Sequence, residues 1–210
     1  AMAVKEVGAE NVIALSIYYG QKHDKEIQAA KDVAEYYGVQ RMELDLSVIF
    51  AGSNCSLLKQ STDEIPLESY AQQIEETGGT HPVSTYVPFR NGLFLSSAAS
   101  IALSHGCSKI MYGAHADDAA GAAYPDCSVD FVNAMNQAIY LGSGNQLSIE
   151  APFVSLTKAD VVRKGLELGV PYALTWSCYE GGEKPCGKCG TCIDRQKAFE
   201  KNGVIDPLLR

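Results

Sequence analysis

The 210-residue chain has the composition of an ordinary globular protein, with 46% hydrophobic and 20% charged residues. This composition excludes a disordered or fibrous protein and fits one domain with at most a small appendage. The formal net charge is −8 and no Lys/Arg-rich run is present, so we expect no nucleic-acid partner. The sequence contains no apolar run of about 20 residues and no secretory signal pattern. We therefore expect a cytoplasmic protein without a membrane partner.

Short β-branched runs alternate with longer helical patterns, which predicts an α/β fold with a mostly parallel sheet flanked by helices. The predicted strands are 11–19, 41–46 and 109–112, and the predicted helices are 24–37, 92–104, 129–140, 157–168 and 191–200. Residues 1–7 also have a helical pattern. The polar stretch 53–84 contains two prolines and a Gly-Gly pair, and it is predicted to be a long loop of the kind that often carries function.

Four of the seven cysteines crowd into one segment with the spacing C-x7-C-x2-C-x2-C. They are Cys178, Cys186, Cys189 and Cys192. Four thiolates at these separations can close a tetrahedral shell around Zn²⁺ and leave no position for water, which predicts a structural zinc site. An iron–sulfur cluster is an alternative, although no second cluster motif or flavin fingerprint accompanies it. A redox pair would use only two of the four cysteines.

The remaining cysteines stand apart from this cluster along the sequence. They are Cys55, Cys107 and Cys127. A lone cysteine in a reducing compartment is most often a small, buried and unreactive side chain. We therefore expect no chemistry from these three residues.

Four motifs in chain order resemble the 7-cyano-7-deazaguanine synthase family. They are YYGQKH at 18–23, VPFRNGLF at 87–94, YPDC at 124–127 and the four-cysteine cluster. The resemblance covers nearly the whole chain, and it is specific because four unrelated motifs agree. It implies the ATP-pyrophosphatase group, with a Rossmann-like sheet of the adenine nucleotide alpha hydrolase type, ATP and magnesium as reaction partners, and a homodimer.

The resemblance also implies the reaction. In this family, 7-carboxy-7-deazaguanine is activated by ATP, converted with ammonia to an amide, activated again and dehydrated to the nitrile on the route to queuosine. Family members begin with a strand and a phosphate loop of the form S-G-G-x-D-S, which is absent from this sequence. We expect that segment to precede Ala1, so the phosphate-binding residues are left unassigned. The expected domains are a nucleotide-binding domain at 1–170 and a zinc-binding region at 171–210.

Three residues are predicted to be catalytic because the chemistry requires positive charge near phosphates and a leaving group. Lys22 and His23 follow a predicted strand, at the position where α/β folds bind ligands. Arg90 can clamp a phosphate or carboxylate through two hydrogen bonds, at the start of a helix whose amides favour anions. The alternatives are a solvated loop for Lys22 and His23 and a surface salt bridge for Arg90.

Five residues are predicted to bind the substrate. They are Gln21, Asn91, Asp118, Tyr124 and Asp126. A carboxylate can accept hydrogen bonds from the exocyclic amine and ring N–H of a guanine-type base, which is why Asp118 and Asp126 are chosen. Tyr124 can stack on the base or pack in the core, and Asp117 is interpreted as a solvated turn residue.

Two other functions are compatible with the sequence. One is a different ATP-pyrophosphatase, such as a tRNA-thiolating enzyme in which cysteines carry sulfur, although the acidic charge balance argues against it. The other is a non-catalytic interaction module that zinc stabilises.

Overall fold

The helices and strands of the chain are taken from a computed structural model, which describes residues 1–76 and 78–209. The helices are α1 (Met2–Val7), α2 (Lys25–Tyr37), α3 (Tyr70–Glu76), α4 (Arg90–Ser104), α5 (Ala116–Ala119), α6 (Val129–Gly142), α7 (Lys158–Glu167) and α8 (Gly190–Lys201). The strands are β1 (Ile13–Tyr18), β2 (Gln40–Asp45), β3 (Lys109–Met111) and β4 (Ser148–Glu150). No helix in these two described ranges is long and apolar enough to cross a membrane.

The chain divides into two compact units, and the C-terminal residues group with the N-terminal ones. The first unit is Ala1–Gln73 with Ala159–Arg210, and the second unit is Ile74–Lys158. The cysteine-rich segment is thus part of the same unit as β1 and β2. That residues 171–210 form a zinc-binding region of their own stays a prediction.

In the first unit, β1 and β2 pair in parallel, and the connection between them contains α2. The register starts with Ile13 opposite Gln40 and ends with Tyr18 opposite Asp45. Helix α2 ends at Gly38, whose φ of 65° lies in the left-handed region that glycine enters without a steric penalty. The predicted strands 11–19 and 41–46 and the helix between them are confirmed, with ends shifted by one or two residues.

Helices α7 and α8 share the apolar core of the first unit. Val162 from α7 and Phe199 from α8 are buried in one cluster, against which Tyr172 packs. The Tyr172 and Phe199 rings meet edge to face with centroids 4.9 Å apart. A side chain at Gly165 would overlap the Tyr172 hydroxyl, so the close approach of this ring requires glycine on α7.

In the second unit, β3 and β4 pair in parallel, with Lys109 opposite Ser148 and Met111 opposite Glu150. Helix α6 connects the two strands in sequence. The Asn136 side-chain oxygen on α6 accepts a hydrogen bond of 2.7 Å from the Ile149 amide, which fixes the helix to β4. The sequence analysis did not predict β4, because only one of its three residues, Ile149, is apolar.

The parallel strand pairs and their helices confirm the α/β class. The described residues form a two-stranded sheet in each unit, and the continuous Rossmann-like sheet stays a prediction. The prediction of one long loop at 53–84 is wrong in part, because α3 begins at Tyr70 within it. A further contact in that stretch is an antiparallel bridge between Leu58 and Gln21.

Candidate metal centre and substrate site

The four cysteines of the first unit form a compact group of sulfur atoms. Their Sγ atoms all lie within 4.8 Å of one another, and the Sγ atoms of Cys186 and Cys192 are 4.0 Å apart. A tetrahedral zinc ion with Zn–S bonds of about 2.3 Å holds its sulfurs about 3.8 Å apart. Cys178 and Cys189 are almost fully buried. The cluster therefore can hold a metal ion such as zinc without a large rearrangement.

Backbone amides of the cysteine loops point at the sulfur atoms. The Cys186 amide lies 3.3 Å from the Cys178 Sγ. The amides of Lys188 and Cys189 lie 3.4 and 3.3 Å from the Cys186 Sγ. Hydrogen bonds to the charged form of a group favour that form, so these loops are already arranged to stabilise thiolates.

Hydrogen bonds and burial shift the pKa values of the clustered thiols in opposite directions. The pKa of Cys189 is lowered, chiefly because the Cys192 thiol donates a hydrogen bond to its sulfur. The same hydrogen bond, helped by burial, raises the pKa of Cys192, and burial raises that of Cys178. Without a cation the thiols share protons in this way, whereas a divalent ion allows all four to ionise.

A buried ion pair supports the cysteine cluster. The Arg195 Nε and Nη2 atoms on α8 donate hydrogen bonds of 2.6 and 2.9 Å to the two carboxylate oxygens of Asp206. Its Nη1 donates to the hydroxyls of Thr175 and Ser177 at 2.9 and 3.3 Å. This side chain thus connects the helix that carries the last cysteine to the segment that precedes the first one.

The predicted residues Gln21 and Lys22 have internal partners in the first unit. The buried Gln21 Oε1 accepts a hydrogen bond of 3.0 Å from the Tyr19 amide. The Lys22 amide donates to the Leu57 carbonyl at 2.9 Å, and its Nζ donates to the Asp63 carbonyl at 2.9 Å. The chain after β1 is therefore fixed in place, and the roles of Gln21 and Lys22 stay predictions.

His23 lies beside the cysteine loop. A methyl group at Gly181, between the first two cysteines, would overlap the Cβ and Cγ atoms of His23 and would lie 2.8 Å from its Cδ2. The His23 Nδ1 is buried and has no hydrogen-bond partner among the residues that the structure describes. The structure thus brings one predicted catalytic residue against the proposed metal centre.

In the second unit, α4 begins against the YPDC turn. The Asn91 amide donates a hydrogen bond of 2.9 Å to the Asp126 carboxylate, and the Asn91 Nδ2 lies 3.2 Å from both the Asp126 carbonyl and the Cys127 Sγ. Asp126 is 4% exposed. Burial raises its pKa, while the Asn91 amide and the charge of Arg90 partly oppose the shift. Two of the predicted residues, Asn91 and Asp126, therefore lie in one polar cluster.

Tyr124 and Asp118 lie next to that cluster. The Tyr124 hydroxyl shares a hydrogen bond with the buried Thr85 hydroxyl, and its ring lies 6.4 Å from the Tyr86 ring. The Tyr124 amide donates to the Asp118 carbonyl at 3.1 Å, and the Asp118 carboxylate lies 3.3 Å from the His115 Nε2. If Tyr124 only packs in the core, the hydrogen bond to Thr85 already satisfies its hydroxyl. Stacking of the Tyr124 ring on a substrate stays a prediction.

Arg90 and Asp117, which the sequence analysis also singled out, make defined contacts in the second unit. The Arg90 guanidinium lies over the Phe94 ring, 5.7 Å from its centroid. The Asp117 carboxylate accepts a hydrogen bond of 2.7 Å from the Lys158 amide. The interpretation of Asp117 as a solvated turn residue is therefore wrong in part, because Asp117 lies in α5 and satisfies an amide at the start of α7.

The sequence analysis missed Tyr112, which directly follows β3. Its hydroxyl is buried and has no hydrogen-bond partner in residues 1–76 and 78–209. Burial raises the pKa of Tyr112, and the charges of Cys127 and Asp126 raise it further. The only sequence signal was its place after a strand, where α/β folds put ligands.

These features define a mixed α/β protein with a group of four cysteines that can hold a metal ion and a buried polar cluster around its YPDC turn. The chain belongs to the family described as Queuosine biosynthesis protein QueC, whose family model matches residues 1–203.

Relatives across nearly the whole chain have the same description, 7-cyano-7-deazaguanine synthase. The protein from Archaeoglobus fulgidus is 44% identical over 96% of this chain and 81% of its own length. The protein from Caldicellulosiruptor bescii is 44% identical over 98% of this chain and 88% of its own length. The one from Oceanobacillus iheyensis is 42% identical over 97% of this chain and 88% of its own length.

Proposed function

We propose that this protein is an ATP-dependent carbon–nitrogen ligase that converts 7-carboxy-7-deazaguanine and ammonia to 7-cyano-7-deazaguanine, also called preQ0, on the route to queuosine. The family match over residues 1–203 carries this proposal. The relatives described as 7-cyano-7-deazaguanine synthase, at identities above 40%, support it.

The reaction determines what the side chains must do. A carboxylate oxygen is a poor leaving group, so ATP first converts it to an activated ester, and ammonia then displaces the activating group to form the amide. A second activation removes the amide oxygen and leaves the nitrile. None of these steps requires a side-chain nucleophile, so the protein acts by positioning and by electrostatic stabilisation.

Asp126 is the residue best placed to recognise the base. The Asn91 amide and the short turn that follows Tyr124 hold its carboxylate in a fixed, buried position. Its raised pKa reflects lost hydration, and N–H donors from a guanine-type edge would restore hydrogen bonds to the charged form. We assign Asp118 as a second acceptor, Asn91 as the residue that orients Asp126, and Tyr124 as part of the same wall.

The three predicted catalytic residues supply positive or titratable groups. Arg90 stands in the first turn of α4, where its charge and the helix amides favour an anionic carboxylate or phosphate. Lys22 and His23 follow β1, and we assign them to the phosphates or the leaving group. Gln21 holds the turn that presents them, because its side chain accepts from the Tyr19 amide.

The metal centre is assigned a structural role. Zinc bound by all four cysteines would have no open coordination position for water. It would therefore hold the C-terminal loops together and take no part in the chemistry. ATP and magnesium are the proposed reaction partners, and a cytoplasmic homodimer is the proposed state of the protein.

The tRNA-thiolation alternative is not favoured by the cysteines of the chain. Burial raises the pKa of Cys127 to about 12, so this thiol stays protonated at neutral pH and is a poor nucleophile. The four clustered cysteines would be occupied by metal.

The test is turnover by the full-length protein with 7-carboxy-7-deazaguanine, ATP, magnesium and ammonia, followed by mass detection of the nitrile. We expect Asp126→Asn to abolish measurable substrate binding and Asp130→Asn, an exposed site on α6, to retain it. A wild-type protein that forms no nitrile under these conditions, or that acts on tRNA, would contradict the proposal.

A further inference from the structure

The loop between the first two metal-binding cysteines makes a contact that only glycine permits. Gly181 has a φ of 64°, which L side chains adopt at a cost. A methyl group there would also overlap the Cβ and Cγ atoms of His23. Backbone conformation and space therefore both require glycine, and the His23 ring packs directly on the main chain of the loop.

The segment around Cys178 is docked at two further points within the same unit. The Lys25 ammonium lies over the Trp176 ring at 5.6 Å, and the Trp176 Nε1 donates to the Cys178 carbonyl at 2.8 Å. The hydroxyls of Tyr70 and Tyr179 share a hydrogen bond. The first cysteine is thus flanked by contacts to the start of α2 and to the start of α3.

The His23 ring is oriented by packing. Its Nδ1 is buried and has no hydrogen-bond partner among the described residues, so no bond at this nitrogen holds the ring. Unsatisfied buried polar atoms are uncommon in native proteins and need a functional or structural explanation. The contact with Gly181 restrains the ring by packing and not by a hydrogen bond.

We propose that Gly181 is a positioning residue: the metal-bound cysteine loop, through Gly181, holds the His23 imidazole in the orientation that the reaction needs at the end of β1. The inference rests on the proposed function, because it assigns His23 to that reaction. The zinc ion then stabilises the fold and also fixes a group of the active site, while taking no part in bond making.

Two glycine substitutions in the same loop test this assignment. Gly181→Ala introduces the overlap with His23, whereas Gly182→Ala is exposed and meets only the Lys184 carbonyl, at 3.4 Å. Neither variant changes a cysteine. We expect both to bind one zinc per chain, and we expect kcat for nitrile formation to fall up to about 100-fold in Gly181→Ala, as small misplacements of reacting groups do. KM should change little, and Gly182→Ala should match wild type.

The imidazole NMR signals of the four histidines provide a readout independent of turnover. The His23 signal, identified by its loss in His23→Ala, should shift in Gly181→Ala and stay in place in Gly182→Ala. If Gly181→Ala folds poorly, the double variant His23→Gly/Gly181→Ala removes the side chain that the new methyl group would overlap. This double variant should recover part of the lost stability. Unchanged His23 signals and kcat in Gly181→Ala would overturn the inference. A wild-type protein with no ligase activity would overturn the proposed function instead, while the NMR shift would still report the contact.

Discussion

The buried pair of Arg195 and Asp206 offers a quantitative test of how the C-terminal segment is held. The two side chains are 11% and 4% exposed, so solvent screens them little. Arg195→Met keeps the length of the side chain and leaves the Asp206 carboxylate buried without its cation. Removing one partner of a buried ion pair costs about 3–5 kcal/mol. For a chain of this size about 1 kcal/mol lowers Tm by about 2–4 °C, so we expect a fall of about 10 °C.

A double-mutant cycle separates the pair from its surroundings. In Arg195→Met/Asp206→Asn the uncompensated charge is gone, so the double variant should be more stable than the sum of the single losses predicts, by about 1–3 kcal/mol. The exposed pair of Arg163 and Asp160, 2.7 Å apart with side chains 60% and 26% exposed, is the control. Arg163→Met should cost at most about 1 kcal/mol.

The assay is urea unfolding with the zinc content held equal in all variants. Because Arg195 also binds the segment before the first cysteine, a chelator should remove zinc faster from Arg195→Met than from wild type. Losses that add within about 0.5 kcal/mol in the cycle would refute the reasoning, since independent sites behave in this way.

Three further predictions concern single side chains. Cys189→Ser should lower the zinc content and the stability of the chain, and a zinc content equal to wild type by metal analysis would exclude the four-thiolate assignment. Asp126→Asn should gain stability relative to wild type as the pH rises above 3.8, the ordinary carboxyl pKa. The raised pKa of Asp126 means that the folded wild type binds this proton more tightly than the unfolded chain, so wild type loses stability as the pH rises from 3.8 to the raised pKa. Urea midpoints from pH 4 to 8 measure the difference between the two proteins, and a difference that stays constant with pH would contradict the prediction. Tyr112→Phe should leave the free energy of unfolding unchanged or raise it by up to about 1 kcal/mol, because the buried Tyr112 hydroxyl has no partner in the described part of the chain. A decrease of more than about 1 kcal/mol in urea unfolding would show that the hydroxyl has a structural partner.

The local sequence pattern was sufficient to predict the long helices and strands and the group of closely spaced cysteines. The parallel unit of β1, α2 and β2 follows from an apolar run, a helical repeat and a terminal glycine within residues 11–46. The metal centre was equally visible, because its four ligands lie within fifteen positions and their spacing alone restricts the geometry. Strand β4 was missed although β3, which has the same length, was predicted, because β4 has a single apolar residue, Ile149, whereas β3 has two.

The tertiary structure decided the contacts between residues that are distant in sequence. Nothing in the local sequence indicates that Gly181 lies on His23, that Arg195 pairs with Asp206, or that Asn91 holds Asp126.

The sequence by itself determined the family, the α/β class and the group of candidate metal ligands, because motifs, periodicity and cysteine spacing are properties of short segments. The structure decided how the motifs are held, since packing and buried hydrogen bonds depend on which segments meet after folding. The orientation of His23 and the burial of Asp126 are consequences of that packing.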